Sequence, residues 1–116
     1  MIRALLAVLL LAGFTQDQKA SLEGVGVVRV QYVDSTHWAL APKQLAKALR
    51  TEDGQKWILI NLDGDQDELQ GWLMHEYAHL IAWDRYGERI QEHGPEFRRV
   101  CRQLVTHRTN YFCKGG

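Results

Sequence analysis

The sequence holds only two cysteines, no surplus of charge of either sign and no apolar run long enough to cross a membrane. Each shortage excludes something. A zinc site built on Cys101 and Cys113 would need His107 as well, a combination their spacing disfavours. With a formal net charge of zero, no chain-wide field marks the protein as a binder of polyanions. The charge is uneven all the same. Residues 94–116 set Arg98, Arg99, Arg102, Arg108 and Lys114 against Glu96 alone. This basic end is either a solvated helix face or a surface for phosphates and acidic partners. No repeat, low-complexity tract or linker divides the chain, whose length suits one modest core.

The longest apolar stretch, in MIRALLAVLLLAGF at the N-terminus, falls short of the ~20 residues a spanning helix needs. One Arg before an unbroken apolar run is the layout of a secretory signal peptide. The absence of a following Cys excludes a bacterial lipoprotein anchor, and no clean small-x-small cleavage site ends the run. The alternative is an N-terminal helix packed on the core, but residues 4–12 show no polar face. The reading is therefore a signal peptide or apolar helix over residues 1–20, with export or membrane tethering favoured over the cytoplasm. Residues 21–116 form the folded domain. Export would allow a Cys101–Cys113 disulfide, whereas a cytosolic chain would keep both thiols free.

What is present is concentrated in His75-Glu76-Tyr77-Ala78-His79, an HExxH motif. On a helix, positions i and i+4 share a face, so two imidazoles can reach one metal ion while Glu76 stands close enough to take a proton from activated water. The surrounding segment, LQGWLMHEYAHLIAWDRY, is apolar on nearly every side, as in a buried helix. Burying two His and a Glu there without a partner is costly, and a cation removes the cost. Asp65 and Glu68 can cap the start, and Gly87 suits the end. A catalytic zinc takes a third protein ligand. Asp84, Glu88, Glu92, His93 and Glu96 follow the motif; His93 is preferred, because Gly94-Pro95 after it opens a second helix. That helix carries Phe97, Val100, Cys101, Leu104 and Val105 on one stripe. Glu96 is the best glutamate alternative.

The other elements are coarser. Val28, Val30 and Tyr32 alternate with polar residues in a strand over about 25–33. His37 to Leu40 reads as a second strand, and Pro42 to Arg50 as a short helix with Leu45, Ala48 and Leu49 on one face. Trp57 to Leu62 is a strand entering the motif helix. The fold class is α+β, a small sheet against the HExxH helix and a backing C-terminal helix. Asp63, Asp65 and Asp67 lack the Gly and Glu of an EF-hand loop and suit a helix start. His37 and His107 have no partner at ligand spacing. The four Trp are expected in the core, with one free to line a cleft.

HEYAH followed by His93 in EHGPEFRRVC resembles the SprT-like zinc metallopeptidases, the group that includes Spartan, over about Trp57 to Leu104. The resemblance implies a zincin-like minimal metalloprotease core with His75, His79 and His93 on Zn2+ and Glu76 as catalytic base. Metzincins do not fit, since Ala82 and Arg85 stand where that pattern needs Gly and His. Many SprT-like proteins continue into a four-cysteine zinc ribbon; TNYFCKGG resembles only its opening. The function expected is a zinc-dependent endopeptidase acting on protein or peptide, with nucleic acid a weaker partner and membrane contact only through the N-terminal segment. The alternatives are a non-catalytic zinc-binding adaptor and a zinc amidase acting on a cell-wall amide.

Overall fold

Val28, Val30 and Tyr32 put one face of an extended segment on apolar surroundings, and the segment forms a strand, β2 (Val28–Val33). The computed structural model describes residues 5–7, 16, 22, 24–105 and 109–114. Three further strands are β1 (Leu5–Ala7), β3 (Ala46–Arg50) and β4 (Lys56–Asn61). Together they make one sheet in the order β1-β2-β4-β3. β2 and β4 run parallel, pairing Val30 with Ile58, while β1 and β3 are antiparallel to their neighbours. The helices are α1 (Leu69–Tyr86), α2 (Pro95–Leu104) and α3 (Thr109–Phe112), with a 3-10 turn at Gln66–Glu68 leading into α1. The α+β layout is the expected one.

Three local expectations are corrected. Ala46–Arg50 is strand β3, not part of a helix. Leu45, Ala48 and Leu49 fit helical spacing, but pairing with the apolar β4 outweighs that weak preference. His37 to Leu40 lies in turns instead of a second strand. Leu5–Ala7 takes an extended form along β2, pairing Leu6 with Gln31, in place of the helix weighed as the alternative to a signal peptide. Most of residues 1–20 lies outside the described residues, as does His107. No described helix is long and apolar enough to cross a membrane.

Strand alternation divides the apolar residues between two cores. Val30, Ile58 and Ile60 face α1 and α2, meeting Leu73, Tyr77, Leu80, Ile81, Phe97, Val100 and Leu104 in the larger one. Val33 and Leu59 point the other way and pack under Ala39 and Leu40. Asn61 supports that side by donating to Gln44 O at 3.0 Å and accepting from Asp63 N–H at 2.9 Å. Trp38 is exposed, contrary to its expected place in the core, and stacks on His37.

The Asp65 carboxylate accepts from the Asp67 N–H to open the turn before α1, and Gly87 ends the helix at φ 86°. Only glycine adopts that angle at low cost, and the chain reverses there. Pro95 begins α2, whose buried stripe is Phe97, Val100, Cys101 and Leu104. Arg98, Arg99 and Arg102 lie on its exposed face. Cys101 and Cys113 form a disulfide across 12 positions, which removes about 3 kcal/mol of chain entropy from the unfolded state.

Candidate metal centre

Two neighbouring turns of α1 carry His75 and His79 on the side that faces the chain reversal after Gly87. His93 sits in a turn closed by Gly94 N–H donating to Gln91 O at 3.2 Å. A side chain at position 94 would run into Gln91, so glycine lets this turn close. The result brings three imidazoles to one point. His79 Nε2 is 3.2 Å from His75 Nε2 and 3.1 Å from His93 Nε2. The three residues are the one His/Cys/Asp/Glu group able to hold a metal ion among the described residues. Phe97 is the floor of the cluster, stacked on His79 at 4.2 Å and edge-on to His75 and His93 at 4.9 and 5.1 Å.

His75 Nδ1 lies in hydrogen-bonding contact with the Phe112 carbonyl. A carbonyl only accepts, so Nδ1 carries the proton and Nε2 of the neutral ring offers a lone pair. A proton on His79 Nε2 can serve one neighbour but not both. The same three donors fit a cation. Tetrahedral Zn–N bonds of about 2.0–2.1 Å put ligand nitrogens roughly 3.3 Å apart, close to the separations found here. Burial, reinforced by the neighbouring rings, pushes His79 down to about 3. His75 is lowered as well, mainly by burial and against the Phe112 hydrogen bond. Both rings are thus held neutral, the form that binds a metal.

Glu76 is also buried, with a carboxylate oxygen 3.8 Å from His75 Nε2. Burial raises it to about 8; Glu92 adds to the rise, and a backbone hydrogen bond from Ala48 opposes it. That bond shows how β3 reaches the site. Asn61 N–H donates to Leu45 O and Thr51 N–H to Gln55 O. In an antiparallel pair the bonded positions alternate, so Lys47 and Leu49 bond to β4 while the backbone groups of Ala46 and Ala48 point outward. Among the described residues no strand pairs with this outer edge. It borders a cleft of about 420 Å³ lined by Lys43–Ala48, Trp72, Trp83, Glu92 and the four motif and ligand side chains.

The structure thus brings His75, His79 and His93 together and sets Glu76 beside them in the cleft. Glu92 lines the cleft outside the cluster, and Glu96 is in neither. Sequence reasoning missed the Phe97 floor, the Phe112 carbonyl and the edge of β3. No tyrosine lines the cleft among the described residues.

A SprT-like family model matches residues 58–114. The chain belongs to the SprT-like family. The matched segment runs from β4 through α1, His93 and α2 to the disulfide, so it contains all three SprT-like histidines. The chain is also 45% identical over 40 residues to Protein SprT of Pseudomonas fluorescens, a match covering 34% of this chain and 24% of that protein. The matched stretch is thus about a quarter of that relative's length. No solved structure matches the chain significantly.

Proposed function

We propose that the protein is a zinc-dependent endopeptidase with a zincin-like core, in which His75, His79 and His93 hold Zn2+ and Glu76 is the general base. The convergence of three imidazole nitrogens beside a buried carboxyl group carries this reading. Zinc held there would act as a Lewis acid and lower the pKa of water toward 7. A cation beside Glu76 opposes the effect of burial and favours its ionised form. Glu76 then accepts the proton of the attacking water and delivers it to the leaving amine.

The outward edge of β3 suits an extended peptide. Ala46 N–H and C=O and Ala48 C=O can pair with a substrate backbone, giving affinity with little dependence on sequence. Trp72 and Trp83 offer apolar walls for its side chains. A non-catalytic adaptor would close the metal's fourth position with another protein ligand, and among the described residues no fourth ligand joins the cluster. The test is cleavage of an unfolded protein by zinc-loaded wild type and Glu76→Gln. The variant should keep its zinc and lose about 10²–10⁴-fold in rate, as expected for a missing general base. Equal cleavage by both proteins would refute Glu76 as base.

A further inference from the structure

Gly71 occupies an early position in α1, where neighbouring residues are bulky and where alanine would be a better helix former. Its reason is spatial. A methyl group at position 71 would overlap the end of the Phe112 ring. The ring therefore sits in a notch on the helix, flanked by Trp72 at 5.2 Å and Tyr111 at 4.9 Å between centroids. The backbone of the same residue does something else. Its carbonyl accepts from His75 Nδ1–H, and the next residue, Cys113, is bridged to Cys101 on α2. Cys101 Sγ itself lies 3.9 Å from the carbonyl oxygen. Two anchors, a ring in a notch and a covalent bridge, thus fix one carbonyl against one imidazole.

That carbonyl decides which nitrogen of His75 carries the proton. With Nδ1–H engaged, Nε2 keeps its lone pair toward His79 and His93, and the ring cannot rotate away. We propose that Phe112 is the positioning residue for His75, held in place by Gly71 and the Cys101–Cys113 bridge, so that metal affinity depends on the bridge being closed. The proposal rests on the metal reading above. Reduction by a dithiol would transfer two electrons and two protons to the bridge, giving two thiols and a disulfide on the reductant. Phe112 would then be held by its ring alone, and the His75 contact would loosen.

The test uses the full chain and Zn2+ in competition with a chromophoric chelator. Three samples are compared: oxidised wild type, dithiol-reduced wild type, and oxidised Gly71→Ala. Gly71→Ala keeps the bridge and improves helix propensity, so a purely structural role for Gly71 would not predict weaker binding. Both altered samples should bind zinc 10- to 100-fold more weakly than oxidised wild type, the usual effect of losing a partner behind a metal-bound histidine. Nitrogen-15 spectra of metal-free oxidised wild type should show the His75 proton on Nδ1, protected from solvent exchange. This reading still decides if either altered sample fails to fold. Unchanged zinc affinity in the folded altered samples, or a His75 proton on Nε2, overturns the positioning role. If oxidised wild type binds no zinc while His75 keeps its Nδ1–H bond, the metal reading has failed, and the proposal with it.

Discussion

Two sets of polar side chains are buried in this small protein, one on each side of the sheet, and they solve burial differently. Beneath Ala39 and Leu40, His37 Nδ1 accepts from Ala39 N–H at 3.1 Å. Asn61 donates to Ser35 Oγ and Gln44 O and accepts from Asp63 N–H. The Asn61 amide meets partners with both its nitrogen and its oxygen, as the cost of an unmade buried hydrogen bond requires. On the helical side, His75, His79 and His93 turn nitrogen toward nitrogen, and the carboxyl group of Glu76 is forced toward its neutral form. Polar groups paired donor to acceptor hold a fold together. Imidazole nitrogens turned toward one another in a cleft, beside a buried carboxyl group, suit a cation that the chain does not itself supply.

The sharpest way to break this contrast is to remove the third imidazole. His93→Ala should lower zinc affinity more than 100-fold, beyond the 10- to 100-fold typical of losing an outer partner. Glu92→Gln should change it little, because Glu92 lies outside the cluster. Chelator-competition titrations of the two variants check this. Full zinc binding by His93→Ala would transfer the third-ligand role to Glu92 or Glu96.

Much of this was legible in the sequence, because the informative residues lie close together in it. The HExxH spacing placed two histidines of the cluster on one helix, and Gly94-Pro95 marked the turn that carries the third. The β2 and β4 strands and both long helices followed from periodicity and caps. What escaped depends on distant pairing. Ala46–Arg50 has helical spacing and becomes a strand only because β4 lies beside it. The Phe112 carbonyl has no side-chain signature, and its one trace in the sequence is Gly71 inside an otherwise bulky helix. The parallel pairing of β2 with β4 leaves no local mark either.

The second prediction concerns pH, with zinc stripped from the protein. Glu76 sits at about 8 in the fold against 4.5 as its ordinary value, so the folded state holds more protons between those values. The contribution of Glu76 to stability should therefore fall as pH rises from about 4.5 to about 8, by several kcal/mol if the whole shift is expressed. His75 and His79 act in the opposite sense. Their lowered values mean that the unfolded state gains protons first below 6.5, so stability should also fall as the solution becomes acidic. The stripped protein should be most stable near pH 6–7. Loaded protein should lose much of the alkaline decline, since a cation favours ionised Glu76. Urea midpoints across pH, with and without zinc, measure both. An identical alkaline decline in the two forms would separate Glu76 from the metal.

A smaller effect sharpens the other half of the comparison. Asn61→Ala leaves Gln44 O and Asp63 N–H without their partner and should cost about 1–3 kcal/mol. Zinc affinity should stay as in wild type. A urea midpoint shift with unchanged chelator competition is the expected pair of results. Loss of zinc in this variant would mean that the two polar sets are coupled through the sheet.

The most direct test of the central claim is a zinc titration of chelator-stripped wild type and His79→Ala, read as bound metal per folded chain. His79 is the hinge of the cluster, the ring whose nitrogen faces both others. One zinc per wild-type chain, and none retained by folded His79→Ala at the same free concentration, is the predicted outcome. A wild type that takes up no zinc, or a His79→Ala variant that binds it equally well, would contradict the account.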